Sequence, residues 1–198
     1  MLSSLSKGRC FSMTGTILCF GDSNTYGFDP RSWLGERYPS EVRWTDRLAR
    51  ATGCQVLNAG QNGREIPASA VLPEADLLIV MLGDNDLLQH PCFTAEDVTA
   101  RMERFLTGLS RSPGSILLLS PPPMRPGTWV AEERLPRESA ALSVHYGTLA
   151  RQLGVAFGDA AKWDIPLLFD GVHFSPEGHQ HFAAHLAALL AELFPGDF

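Results

Sequence analysis

The stretch Thr16-Ile17-Leu18-Cys19-Phe20-Gly21-Asp22-Ser23-Asn24 decides the fold class. Its apolar run, Ile17 to Phe20, stops at a glycine and gives way to small polar residues. A wholly apolar run of this length suits a strand covered on both faces of a sheet, whereas a half-exposed strand would alternate. Working outward, the form recurs. Gln55 to Leu57 ends in Asn58-Ala59-Gly60, Leu77 to Leu82 ends at Gly83, and Ile116 to Leu119 ends in Ser120-Pro121-Pro122-Pro123. Val155 to Phe157 reads as a fifth short strand. Helical patterns fill the intervals at 41–51, 95–110, 137–153 and 176–193. The last carries Phe182, Leu186, Leu189, Leu190 and Leu193 at helical spacing, after a Ser175-Pro176 start suited to an N-cap. Alternating strands and helices predict a three-layer α/β/α sandwich around a parallel five-stranded sheet.

The rest of the composition narrows the class. Residues 15–198 read as one domain, and residues 1–14 as a loose N-terminal arm without the apolar core of a secretion signal. Hydrophobic residues are 44% of the 198 and the net charge is −6, enough for a core but offering no basic field for nucleic acid or an anionic membrane. The longest apolar run, Leu77 to Leu82, is far short of the roughly 20 residues that span a bilayer. Cys10, Cys19, Cys54 and Cys92 show neither C-x-x-C nor zinc-finger spacing, so free thiols and a cytoplasmic setting are expected. No nucleotide-binding glycine motif follows the first strand, and no metal or cofactor is called for.

In open parallel sheets, ligands bind beyond the carboxyl ends of the strands. The polar peptides fall there: Gly21-Asp22-Ser23-Asn24, Asn58-Ala59-Gly60-Gln61-Asn62-Gly63 and Gly83-Asp84-Asn85-Asp86, joined by Asp170-Gly171-Val172-His173 before the last helix. Each alone is an ordinary turn; together they supply the parts of an acyl-transfer site. Ser23 is the candidate nucleophile, but a hydroxyl needs a base at neutral pH. His173 is the candidate base, and Asp170, three residues earlier, can orient it and stabilise the imidazolium. The Ser23 and Gly60 N–H groups with the Asn85 amide are candidate oxyanion donors, glycine at 60 permitting close approach to a substrate.

These four blocks, with Val42-Arg43-Trp44 and Leu119-Ser120-Pro121-Pro122-Pro123, resemble the SGNH hydrolases, also called GDSL esterases, over about residues 16–193. The likeness is strongest to compact bacterial arylesterase and acyltransferase members. It implies a flavodoxin-like fold, Ser23, Asp170 and His173 as a triad, Ser23, Gly60 and Asn85 as the oxyanion hole, and a small-molecule ester as substrate. Asn24 stands where the GDSL motif has leucine, and Asp84 where related sequences often have threonine. Carbohydrate O-deacetylation is the alternative within the family; a non-catalytic flavodoxin-like binding module is the alternative outside it. Association into a homo-oligomer stays open, with Pro121 to Pro136 as a candidate interface.

The remaining singular residues have plainer readings. Asp22 reads as a structural hydrogen-bonding residue and Asp86 as a loop anchor. Arg64, just after the second glycine block, is placed to reach toward the cleft, but surface solvation is its plainer reading. His179, His181 and His185 lack a metal-binding pattern and read as an exposed helix face. Trp33, Tyr38 and Trp129 suit either a pocket wall or packing.

Overall fold

Strand β1 (Thr16–Gly21) pairs in parallel with β2 (Gln55–Gly60) on one side and β3 (Leu77–Met81) on the other. Strands β4 (Ile116–Ser120) and β5 (Ala156–Asp159) extend the sheet beyond β3, giving the order β2-β1-β3-β4-β5. This is the flavodoxin-like order, in which the chain changes direction across the sheet between β1 and β3. The computed structural model describes residues 15–32, 34, 36–112 and 115–195. Trp33, Cys10 and the segment 1–14 lie outside them.

Alternation along each strand divides the core into two. Leu18, Phe20, Leu78, Val80 and Leu118 face Val98, Met102, Phe105, Leu142 and Tyr146 of helices α4 (Ala95–Thr107) and α5 (Arg134–Leu153). Ile17, Cys19, Ile79, Met81 and Leu117 face Trp44 and Leu48 of α2 (Trp44–Thr52) and Phe182, Leu186 and Leu190 of α6 (Pro176–Leu193). Every residue of β3 is buried, so the uninterrupted apolar run reflects helices on both faces. Cys19 and Cys54 are buried free thiols and Cys92 an exposed one; burial pushes the Cys19 thiol up.

Helix limits depart from the periodic reading for local reasons. Helix α6 begins as expected, with Ser175 Oγ accepting the Gly178 N–H and Pro176 in the first turn. Helix α2 starts at Trp44 rather than 41 because Val42 and Arg43 close a turn onto the Pro39 carbonyl. Helix α5 starts at Arg134, so Pro136 lies in its first turn, where a missing N–H breaks no helical bond. Helix α4 stops at Gly108, short of 110. Two short helices went unforeseen, α1 (Ser23–Tyr26) after β1 and α3 (Asp84–Gln89) after β3. Both lie at the carboxyl edge of the sheet, after the neighbouring strands β1 and β3. Among the described residues, no helix is long and apolar enough to cross a membrane.

Candidate active site

Ser23 is carried into place by a crowded turn. A Cβ at Gly21 would stand 2.1 Å from Thr25 Oγ1, so only glycine lets α1 fold directly onto the end of β1. Asp22 caps that helix by accepting the Asn24 N–H at 2.9 Å. Its carboxyl is fully enclosed; burial raises its pKa to about 6, opposed by the Asn24 N–H and the nearby His173 and Arg64. The structural reading of Asp22 therefore holds.

His173 reaches Ser23 from the loop preceding α6. Its Nε2 lies 2.9 Å from Ser23 Oγ, and its Nδ1 lies 2.7 Å from Asp170 Oδ2. Asp170 Oδ1 accepts the backbone N–H groups of Val172 and His173, both at 2.9 Å. The carboxylate thus has a partner for each oxygen. Burial opposes its charge, but these donors prevail and hold its pKa below the ordinary aspartate value. Gly171 between them takes φ +82, and a Cβ there would meet the Arg125 carbonyl oxygen at 2.0 Å.

The acid–histidine loop is fastened by the proline-rich segment. Arg125 N–H donates to the Gly171 carbonyl at 2.9 Å, and Trp129 N–H to the Asp170 carbonyl at 3.1 Å. This segment also delivers the Trp129 ring edge-on to His173, 4.9 Å between centroids, while Phe28 approaches at 5.0 Å. Trp129 is 52% exposed, so it walls the site; Tyr38 is buried and packs instead against His179. In the sequence Trp129 is one of several loop aromatics, and nothing there marks Phe28.

The candidate oxyanion donors differ in availability. Asn85, second residue of α3, is partly exposed, and none of the described hydrogen bonds engages its side chain. Ser23 N–H begins α1, where an amide has no intrahelical acceptor. Gly60 N–H already donates to Asn58 Oδ1 at 2.9 Å. Glycine at 60 is needed for a further reason. A Cβ there would lie 2.1 Å from the Tyr26 nitrogen, so close packing of β2 on α1 by itself demands it. Asn58 fastens that contact further, its Nδ2 donating to the Thr25 carbonyl at 2.7 Å and to Thr45 Oγ1 at 2.9 Å.

Arg64 and His179 correct the sequence reading. Arg64 is not a solvated side chain: Nη1 donates to the Gly21 carbonyl at 2.8 Å and to the Ala59 carbonyl, and its guanidinium lies 4.2 Å from the Phe20 ring centroid. It ties together the ends of β1 and β2 beneath the site. His179 is fully buried, its Nδ1 accepting the Trp44 N–H at 3.4 Å, because α6 turns that residue inward onto α2. His181 and His185 remain outside the core, the first near Glu177 and the second stacked on Trp163. Asp86 anchors the chain as expected, accepting the Ile66 N–H at 3.1 Å and pairing with Arg101 at 3.0 Å. Asp84 is buried, with Oδ1 unpartnered, and burial together with the charges of Asp22 and Asp86 raises its pKa well above the ordinary range.

A model of the GDSL-like lipase/acylhydrolase family matches residues 19–181, which include all four blocks of the site. The chain belongs to that family. No curated protein matches its sequence significantly. Among solved structures, an M. smegmatis aryl esterase is 28% identical, with 91% of this chain and 100% of that one covered and a TM-score of 0.79. A carbohydrate acetylesterase family member from Sinorhizobium meliloti is 26% identical, covering 91% of this chain and 99% of that one at a TM-score of 0.75. As a GDSL-like acylhydrolase the protein is an esterase-class enzyme, and its five-stranded sheet is the SGNH fold of these neighbours.

Proposed function

We propose that this GDSL-like enzyme is a serine esterase acting through an acyl-enzyme on Ser23, with small or short-chain acyl esters as substrates. The observation that carries this reading is the continuous chain Ser23 Oγ–His173 Nε2–Asp170, at 2.9 and 2.7 Å. Ser23 Oγ attacks the ester carbonyl carbon while its proton passes to His173 Nε2. The carbonyl oxygen becomes an oxyanion, held by the Ser23 N–H and the Asn85 amide. Gly60 N–H joins them by sharing or releasing Asn58 Oδ1. As the tetrahedral intermediate collapses, the alcohol leaves with the proton from His173. Water, or another alcohol in an acyl transfer, then attacks the acyl-enzyme with His173 again as base.

The leaving alcohol must lie near His173 Nε2, so it meets the rings that flank this imidazole. Trp129 and the partly exposed Phe28 give that side an aromatic character, suited to an aryl alcohol or to the apolar face of a sugar. Aryl esters are the first choice and acetylated carbohydrate the second, in keeping with the names of the structural neighbours. The deciding experiment is labelling with a fluorophosphonate, mapped by mass spectrometry, alongside p-nitrophenyl acetate turnover. We expect one adduct on Ser23 and loss of turnover in a folded Ser23→Ala variant. No adduct at Ser23, or full activity in Ser23→Ala, would assign the chemistry elsewhere.

A further inference from the structure

Asn24 follows the nucleophile directly, where the family motif has leucine, and its side chain spans to the histidine loop. Its Nδ2 donates to the Val172 carbonyl at 3.1 Å, and its Oδ1 accepts the Phe174 N–H at 2.9 Å. Those residues flank His173 on either side. A carbonyl can only accept and an amide N–H only donate, so the two partners dictate which way the Asn24 amide faces. The residue is itself held fast: its N–H donates to Asp22 Oδ1, and its carbonyl accepts Trp44 Nε1–H, both at 2.9 Å. It is 3% exposed, with no room to swing.

The histidine loop has other fastenings. Arg125 and Trp129 hold it to the proline-rich segment, and Leu168 N–H donates to the His173 carbonyl at 2.8 Å. These keep the loop folded without joining it to the turn that carries Ser23. Beside the Ser23–His173 bond itself and the packing of Phe28, Asn24 joins that turn to the loop backbone on both sides of His173. We propose that Asn24 is a positioning residue that sets the Ser23 Oγ–His173 Nε2 distance by gripping the backbone on both sides of His173. The inference rests on the assignment of Ser23 and His173 as nucleophile and base. Leucine at this position can make neither bond, so the loop keeps its fold but loses its register against Ser23.

The test compares wild type, Asn24→Leu and Asn24→Asp by p-nitrophenyl acetate kinetics and by the rate of fluorophosphonate inactivation. A misplacement near 1 Å costs on the order of 100-fold in rate, so kcat of Asn24→Leu should fall by about that factor while KM stays near the wild-type value. Inactivation should slow in proportion, because it draws on the same Ser23–His173 pair. In Asn24→Asp, the new carboxyl when protonated can donate to Val172 and accept from Phe174. The Asn24→Asp to wild-type ratio of kcat should therefore rise as pH falls. That variant also carries the test if Asn24→Leu does not fold. Wild-type kcat and inactivation rate in folded Asn24→Leu, or losses that follow only the folded fraction, would overturn the proposal. So would an Asn24→Asp ratio that stays flat with pH. A wild type that takes no adduct at Ser23 would overturn the nucleophile assignment and this inference together. A wild type labelled at Ser23 beside equally reactive variants would overturn this inference alone.

Discussion

Trp129 stands edge-on to His173, 4.9 Å between ring centroids, while its own backbone N–H donates to the carbonyl of Asp170. One residue thus holds the acid's main chain and walls the base. Its half-exposed ring leaves surface free for a ligand. Trp129→Ala should raise KM for aryl acetates by about 2- to 10-fold, the range of one aromatic contact, with a smaller change in kcat. The effect should be weaker for an acyl ester with a methyl leaving group. Steady-state kinetics on matched aryl and methyl esters reads the difference; equal losses on both would remove Trp129 from the leaving-group side.

The Asp170 contacts make Asp170→Asn a sharp probe. Its Oδ1 already accepts the Val172 and His173 N–H groups, so an asparagine would keep its oxygen there and turn its NH₂ toward Nδ1. That leaves the proton on Nε2, where it faces Ser23 and blocks base catalysis. We expect kcat to fall about 10³- to 10⁴-fold with the fold retained. Near-UV circular dichroism checks the fold and p-nitrophenyl acetate turnover checks the rate.

Asn85 is the side-chain amide at the site with no described hydrogen bond of its own. If it meets the developing oxyanion, Asn85→Ala should cost about 10²- to 10³-fold in kcat while KM changes little. Because no internal bond is lost, the melting temperature should stay close to that of the wild type. A loss confined to KM would place Asn85 in substrate binding instead.

His179 predicts how stability responds to acid. Its pKa is lowered to about 3, first by burial and then by nearby cationic groups, against an ordinary 6.5. A depressed histidine contributes stability above pH 6.5 that is lost as pH falls toward 3. The loss should reach the order of 3 kcal/mol near pH 4. Asp22 and Asp86 act in the opposite sense: their pKa values are raised from 3.8 to about 6, so their contribution is greatest below 3.8 and declines as pH rises through 6. His179→Gln keeps an acceptor for the Trp44 N–H and removes the titration. Urea unfolding of both proteins from neutral pH to about pH 4 should therefore show a shallower decline in the variant.

The sheet was legible because its strands advertise themselves locally. Ile17 to Phe20, Leu77 to Leu82 and Ile116 to Leu119 are apolar on both faces, and the glycine or proline that follows each marks the edge where ligands bind. The triad candidates were legible for a related reason. Acyl transfer needs a hydroxyl, an imidazole and a carboxylate, and the blocks holding Ser23, Asp170 and His173 fall at chain positions that a parallel sheet brings to one edge. Asp170 and His173 also lie within one turn, so their contact depends little on distant chain.

Other features depend on which surfaces meet, and the local pattern is silent there. His179 shares its helix spacing with His181 and His185, but Trp44 of α2, Tyr38 and Phe174 enclose it, and that burial lowers its pKa. Arg64 looked solvated until the ends of β1 and β2 presented two carbonyls to its fork. Gly60 has a packing reason that its own segment does not show, because the backbone of α1 fills the place a Cβ would take. Asn24 read as a departure from a motif, and only the approach of Val172 and Phe174 gave its amide two partners. The sequence by itself determined the strands, the chemical groups and their order along the chain. The tertiary structure decided burial, hydrogen-bond partners and the wall around His173, because each of these is a contact between segments that no local pattern encodes.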